Sequence, residues 1–109
     1  MNSRNKGKRG ELELVHELRE LGIQARRPTQ FSGSEGTSDV LAIDYPDLHI
    51  ECKRNERLVI DNAIDQASSD CKEQQTPVVM HRRNRGEWLI TIRLRDIFRF
   101  SNTVRTGCD

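Results

Sequence analysis

The chain of 109 residues has three cysteines, Cys52, Cys71 and Cys108, and no two of them stand at the C-x-x-C spacing of a metal knuckle or redox motif. An odd count in so short a chain argues against a disulfide framework and for a reducing compartment. No apolar run approaches the roughly 18 residues that cross a bilayer, and the first residues lack the apolar core of a secretion signal. The expectation is a soluble, cytoplasmic protein with no membrane contact. No glycine-rich phosphate loop interrupts the chain. One Trp, one Tyr and three Phe are too few and too scattered to form a stacking platform for a single strand, so Trp88 and Phe100 read as core or interface anchors. His16, His49 and His81 match no zinc-ligand spacing. Neither a Ser-His-Asp nor a Cys-His nucleophile has a strand-turn-helix site to sit on.

Charge is plentiful. Charged residues make up 32% and hydrophobic residues 34%, which implies one domain with a small core. The net charge of +1 conceals an uneven layout, because Arg4, Lys6, Lys8 and Arg9 open the chain with no acid among the first ten residues. Residues 1–9 read as a basic, mobile arm ahead of a single domain at 10–100, with 101–109 a disordered tail. Further basic groups, Arg26, Arg27, Lys53, Arg54, Arg82, Arg83 and Arg85, fall at predicted element ends, where contacts to a phosphate backbone are usually built. For any single arginine, solubility is an equally good explanation.

Leu14, Val15, Leu18 and Leu21 recur at helical spacing, so a helix is expected from Gly10 to Leu21 with Gly22 as its stop. A short strand over Ile23–Arg27 follows, then a Gly/Ser-rich loop at 29–38. The segments DVLAID (39–44) and LHIECK (48–53) read as a β-hairpin turning at Tyr45-Pro46. Ile60, Ala63, Ile64, Ala67 and Cys71 mark a second amphipathic helix running to Glu73. Pro77–Arg83 and Glu87–Ile92 form a second hairpin, with Gly86 expected to supply a positive φ in the turn. Residues 93–100 form a short terminal helix that packs Leu94, Ile97 and Phe98. The order αβββαββ plus this helix implies an α/β (α+β) sandwich with a central mixed sheet flanked by helices.

The first hairpin permits a register. If Asp44, Tyr45 and Pro46 form the loop, Ala42 faces Leu48, Val40 faces Ile50 and Asp39 faces Glu51. One face then gathers Val40, Ala42, Leu48, Ile50 and Cys52, and the other carries Asp39, Glu51 and Lys53 together. A slip of one residue would scatter both sets. Two carboxylates beside a lysine suit phosphodiester hydrolysis. Asp39 and Glu51, with the Cys52 backbone carbonyl as a further oxygen, would hold Mg²⁺ or Mn²⁺, and Lys53 would position water and stabilise the phosphate. E-x-K by itself recurs by chance in about every second chain of this size and charge. The upstream aspartate, the flanking apolar strands and the register separate this instance from a solvated strand face. Glu11 aligns with the stripe of Leu14, Val15 and Leu18, and reads either as a carboxylate facing the sheet or as an acid favoured near a helix start.

The stretches KGKRGELELVHELRELG, GTSDV and HIECK resemble the archaeal-type Holliday junction resolvases and their short phage or bacterial relatives within the PD-(D/E)XK nuclease superfamily. The resemblance covers residues 6–54. It implies a restriction-endonuclease-like core and a catalytic set of Glu11, Asp39, Glu51 and Lys53, with Glu11 joining the metal centre. It maps the family's loop serine onto Ser34 or Ser38 as a DNA contact. It further implies a homodimer that binds branched, four-way DNA and makes paired nicks. Where many members carry Arg between the two helix-one acids, this chain has Leu12. Gln66 lines the site if it follows related nucleases, and otherwise is an exposed helix residue. His49 shares the face of Glu51 and reads as a residue behind the metal ligands or on the surface, because Mg²⁺ prefers oxygen.

Three other functions are open to such a chain: a nicking, repair or flap endonuclease of the same fold, a non-catalytic DNA-binding module, or an assembly protein with a fortuitous E-x-K. A restriction-type enzyme is disfavoured, since so short a chain has little room for base readout.

Overall fold

The computed structural model describes residues 3–29 and 38–106, with side chains over 7–29 and 38–105. Helix α1 spans Ser3–Glu20 and buries Leu14, Val15 and Leu18. The stretch expected as a free arm is therefore helical from Ser3, forming the first two turns of α1. The helix ends at Gly22, whose φ of 87° lets Ile23 N–H return to the Leu18 carbonyl at 2.9 Å.

Strand β1 (Ala25–Arg26) pairs antiparallel with β2 (Leu41–Ala42), with Ala25 opposite Ala42. Strand β3 (Leu48–Lys53) pairs parallel with β4 (Thr76–His81), and β4 pairs antiparallel with β5 (Leu89–Thr91). Helix α2 (Ile60–Asp70) connects β3 to β4 and packs on both, its small Ala63 and Ala67 allowing close approach to Val79. The mixed sheet flanked by helices is the architecture expected from the element order.

The register of the first hairpin holds, but its ladder is cut short. Val40 bridges Ile50 antiparallel, and Asp39 N–H donates to the Ile50 carbonyl at 2.8 Å, which sets Asp39 opposite Glu51. Elsewhere along this edge side chains replace the main chain. Ser38 Oγ takes the Ile50 N–H at 3.2 Å and Asp39 Oδ2 takes the Cys52 N–H at 2.9 Å, while Leu41 and Ala42 pair with β1. Val40, Ala42, Leu48 and Ile50 are buried with the apolar face of α1, and the half-buried Cys52 packs against them.

The C-terminal region departs most from expectation. A single 3₁₀ turn at Leu94–Asp96 leads into α3 (Ile97–Thr106), so the supposed tail is helical to Thr106. Leu94, Ile97 and Phe98, expected in the core, are exposed. The inward face is instead Asp96, Phe100 and Val104, at helical spacing of four. Buried Asp96 accepts from Arg93 Nε at 2.9 Å, and an Arg99 amine donates to the Glu73 and Gln75 carbonyls, which fixes that rotation. In the β4–β5 turn the positive φ of 62° belongs to Arg85, not Gly86. Glycine at 86 answers a close approach instead, since an added Cβ would lie 3.3 Å from the Arg83 carbonyl oxygen.

Candidate active site

Alternation along β3 turns His49, Glu51 and Lys53 toward α2 and the Asp39 edge. The setting of the first two is unusual for polar side chains, because Glu51 is only 3% exposed and His49 is fully buried. The two meet at 3.3 Å, Nε2 to Oε1. From α2, one helical turn apart, come Gln66 and Asp70. Gln66 Oε1 accepts from Lys53 Nζ at 3.4 Å. Asp70 places a carboxylate oxygen so that His49, Glu51 and Asp70 each offer a ligand atom within 4.8 Å of the others.

Asp39 lies where carboxylates crowd. Burial drives its carboxyl up to about 7, the Cys52 N–H opposes the rise, and Glu51 and Glu11 add to it by charge and, for Glu51, by a shared hydrogen bond. Burial also pushes the Cys52 thiol up to about 12, so its sulfur is inert packing and offers no thiolate. Glu11 reaches this centre from α1 through its charge, yet its Oε1 is drawn to Arg27 Nε at 2.8 Å. It does not complete with Asp39 and Glu51 a triple as compact as that of His49, Glu51 and Asp70. A polar cleft of about 250 Å³ runs between α1 and the end of β3, lined by Gly7, Gly10, Glu11, Cys52, Lys53, Arg54 and Asn55.

Several residues expected to touch DNA are engaged within the protein. Ser38 is buried, its hydroxyl taken by Ile50 N–H and His49, which leaves no exposed hydroxyl for a phosphate. Ser34 lies outside the described residues, as does the Lys6 side chain. Arg27 pairs with Glu11, while Arg54 and Arg82 converge on Glu13 at 2.9 and 3.3 Å. Lys8, Arg9, Arg26, Arg83 and Arg85 are exposed. Sequence reasoning missed Glu13 and Asp70. Glu13 had the pattern of a solvated helix acid, and Asp70 carried no signal beyond its four-residue spacing from Gln66.

Carboxylates opposed across a strand edge, with a lysine two residues after the second and a glutamine on the next helix, match the arrangement expected of a PD-(D/E)XK nuclease. The profile of a family described as "Phage putative PDDEXK endonuclease" matches residues 2–106, and the chain belongs to that family. Among solved structures it is similar to Hjc, a Holliday junction resolvase from Archaeoglobus fulgidus, with 22% identity, a TM-score of 0.60, and 78% of this chain and 75% of that one covered. That likeness shows a shared fold. Among curated protein sequences none matches.

Proposed function

We propose that this protein is a divalent-metal-dependent endodeoxyribonuclease that cuts branched DNA in the manner of a junction resolvase. The observation that carries the reading is the Asp39 carboxyl, buried beside Glu51 and Glu11: burial first, and then the charge of those two neighbours, raises it to about 7. A site that binds a proton so firmly among acids suits a hard divalent cation in its place. Asp39 and Glu51 would hold Mg²⁺ or Mn²⁺, with Glu11 and the Cys52 carbonyl as further oxygens. Such an ion supplies charge neutralisation at the phosphate and a more acidic water. Lys53, steadied by Gln66, is suited to donate to a phosphate oxygen as negative charge grows on it. Lys8, Arg9, Arg83 and Arg85 offer backbone contacts, which read DNA shape more than base sequence. No described helix is long and apolar enough to cross a membrane, which suits action in the cytoplasm.

Two copies acting together suit paired nicks, and the exposed Leu94 and Phe98, at 82% and 80%, support a homodimer. Incubation of the protein with labelled four-way junction, flap and linear duplex, in Mg²⁺ or EDTA, tests the reading. Symmetric nicks confined to the junction are expected, abolished by EDTA and by Asp39→Asn. Cutting of every substrate would replace this reading with a general nicking or flap endonuclease. Binding without cleavage in any metal would leave a DNA-binding module.

A further inference from the structure

Behind Glu51, His49 sits in a chain of polar contacts that the nuclease chemistry does not itself require. Ser38 Oγ accepts the Ile50 N–H at 3.2 Å and lies 3.3 Å from His49 Nδ1. With one lone pair committed to Ile50, the hydroxyl hydrogen is available to Nδ1 as acceptor. At the other edge of the ring Nε2 is 3.3 Å from Glu51 Oε1. A carboxylate accepts only, so this contact needs the hydrogen on Nε2. The Glu51 contact therefore selects hydrogen on Nε2, and Ser38 can donate to Nδ1 in that arrangement. Ser38, His49 and Glu51 are all buried, which removes water as a substitute partner.

The remaining surroundings of Glu51 are acidic. Asp39 shares a hydrogen bond with it, and an Asp70 oxygen lies within 4.8 Å of the ligand atoms of both Glu51 and His49. We propose that His49 is a positioning residue: anchored by Ser38 at Nδ1 and with Nε2–H directed at Glu51, it holds the Glu51 carboxylate in the orientation that faces Asp39. The proposal rests on the reading of Glu51 as a metal ligand. It assigns Ser38 an internal task, the anchoring of an imidazole, in place of contact with a phosphate. Donors standing behind ligating side chains fix their orientation and commonly govern metal affinity by about 10- to 100-fold.

The test uses the full chain and two substitutions at one position. His49→Gln keeps an N–H donor within reach of Glu51, whereas His49→Phe keeps the ring and removes both nitrogens. Mn²⁺ affinity, measured by electron paramagnetic resonance in the absence of DNA, is expected to fall by about 10- to 100-fold in the Phe variant and by less than about threefold in the Gln variant. Single-turnover cleavage should fall with it while KM for DNA stays unchanged. If the Phe variant does not fold, the Gln variant decides: retained Mn²⁺ affinity supports the proposal and a tenfold loss overturns it. In the metal-free wild type, long-range ¹H–¹⁵N correlation of the imidazole should show hydrogen on Nε2. Hydrogen on Nδ1 in the wild type, or a folded Phe variant that binds Mn²⁺ normally, would overturn the role of His49 while leaving the nuclease reading intact. Wild-type protein that neither binds Mn²⁺ nor cuts DNA would remove both.

Discussion

Two clusters of charge meet strand β3 within a few residues of each other, and they are built on opposite terms. At the α1–β3–turn junction, Glu13 receives Arg54 at 2.9 Å and Arg82 at 3.3 Å, Arg54 also donates to Asn84 Oδ1, and Arg82 Nε donates to the Gly86 carbonyl. Every charge there faces its complement. At the Asp39 edge, carboxyl faces carboxyl, and burial raises Asp39, with the charges of Glu51 and Glu11 adding to the rise against the Cys52 N–H. Both use acids on α1 two residues apart and adjacent basic residues, Lys53 at the end of β3 and Arg54 just past it, so composition does not separate them. What separates them is internal satisfaction: a complemented network holds elements together, whereas like charges held close are tolerated where a ligand is to complete them.

The comparison is broken most severely by removing members of the uncomplemented cluster. Asp39→Asn and Lys53→Ala are each expected to lower single-turnover cleavage by about 10²- to 10³-fold with DNA affinity retained. Asp39→Asn should leave thermal stability equal or higher, because it relieves crowding. Loss of fold in Asp39→Asn would make that edge a structural network like the other.

Next in size is the effect of pH on metal binding. With Asp39 at about 7 against an ordinary 3.8, the metal-free folded protein keeps a proton that the unfolded chain loses, so this group's contribution to stability falls as pH rises from about 4 through 7. A cation must displace that proton. Mn²⁺ affinity should therefore climb by up to about tenfold per pH unit below 7 and level off above it. Isothermal titration at pH 6, 7 and 8 checks this, and Asp39→Asn should flatten the profile.

Much of this division is legible in the sequence, because it rests on period-two alternation. Val40, Ala42, Leu48 and Ile50 fix one register of β3, and that register alone brings Asp39 opposite Glu51. The burial of Leu14, Val15 and Leu18 followed equally from helical spacing. What lay hidden was tertiary pairing. Glu13 meets Arg82 across 69 residues of sequence, and no local pattern marks an acid as the partner of a distant arginine. The rotation of α3 was misread for a related reason: Leu94, Ile97 and Phe98 form an apolar stripe, but buried Asp96 bonded to Arg93 turns the other side inward.

A change in the complemented cluster should move stability and little else. Glu13→Ala strands two half-buried guanidinium groups and is expected to cost about 1–2 kcal/mol, a figure reduced because all three side chains retain some solvent. Urea denaturation should show a lower midpoint at an unchanged slope. Cleavage by the folded fraction should stay near wild type.

The smallest effect, and the one that joins the two clusters, is expected at Gly10. Here α1 meets β3 so closely that an added Cβ would lie 2.8 Å from Arg54 Cβ, an atom near the backbone and unable to swing aside. Alanine gains about 1 kcal/mol of helix propensity over glycine, while overpacking of this kind costs about 1–3 kcal/mol. Propensity offsets part of the overpacking, so Gly10→Ala should destabilise by about 0–2 kcal/mol. Relief of the contact, however, requires α1 to move away from β3, and Glu11 moves with it. Cleavage should therefore fall more than stability does, and Mn²⁺ affinity should weaken alongside. If Gly10→Ala lowers stability yet leaves cleavage and Mn²⁺ affinity untouched, Glu11 belongs with Arg27 as a structural ion pair, and the catalytic cluster ends at Asp39, Glu51 and Lys53.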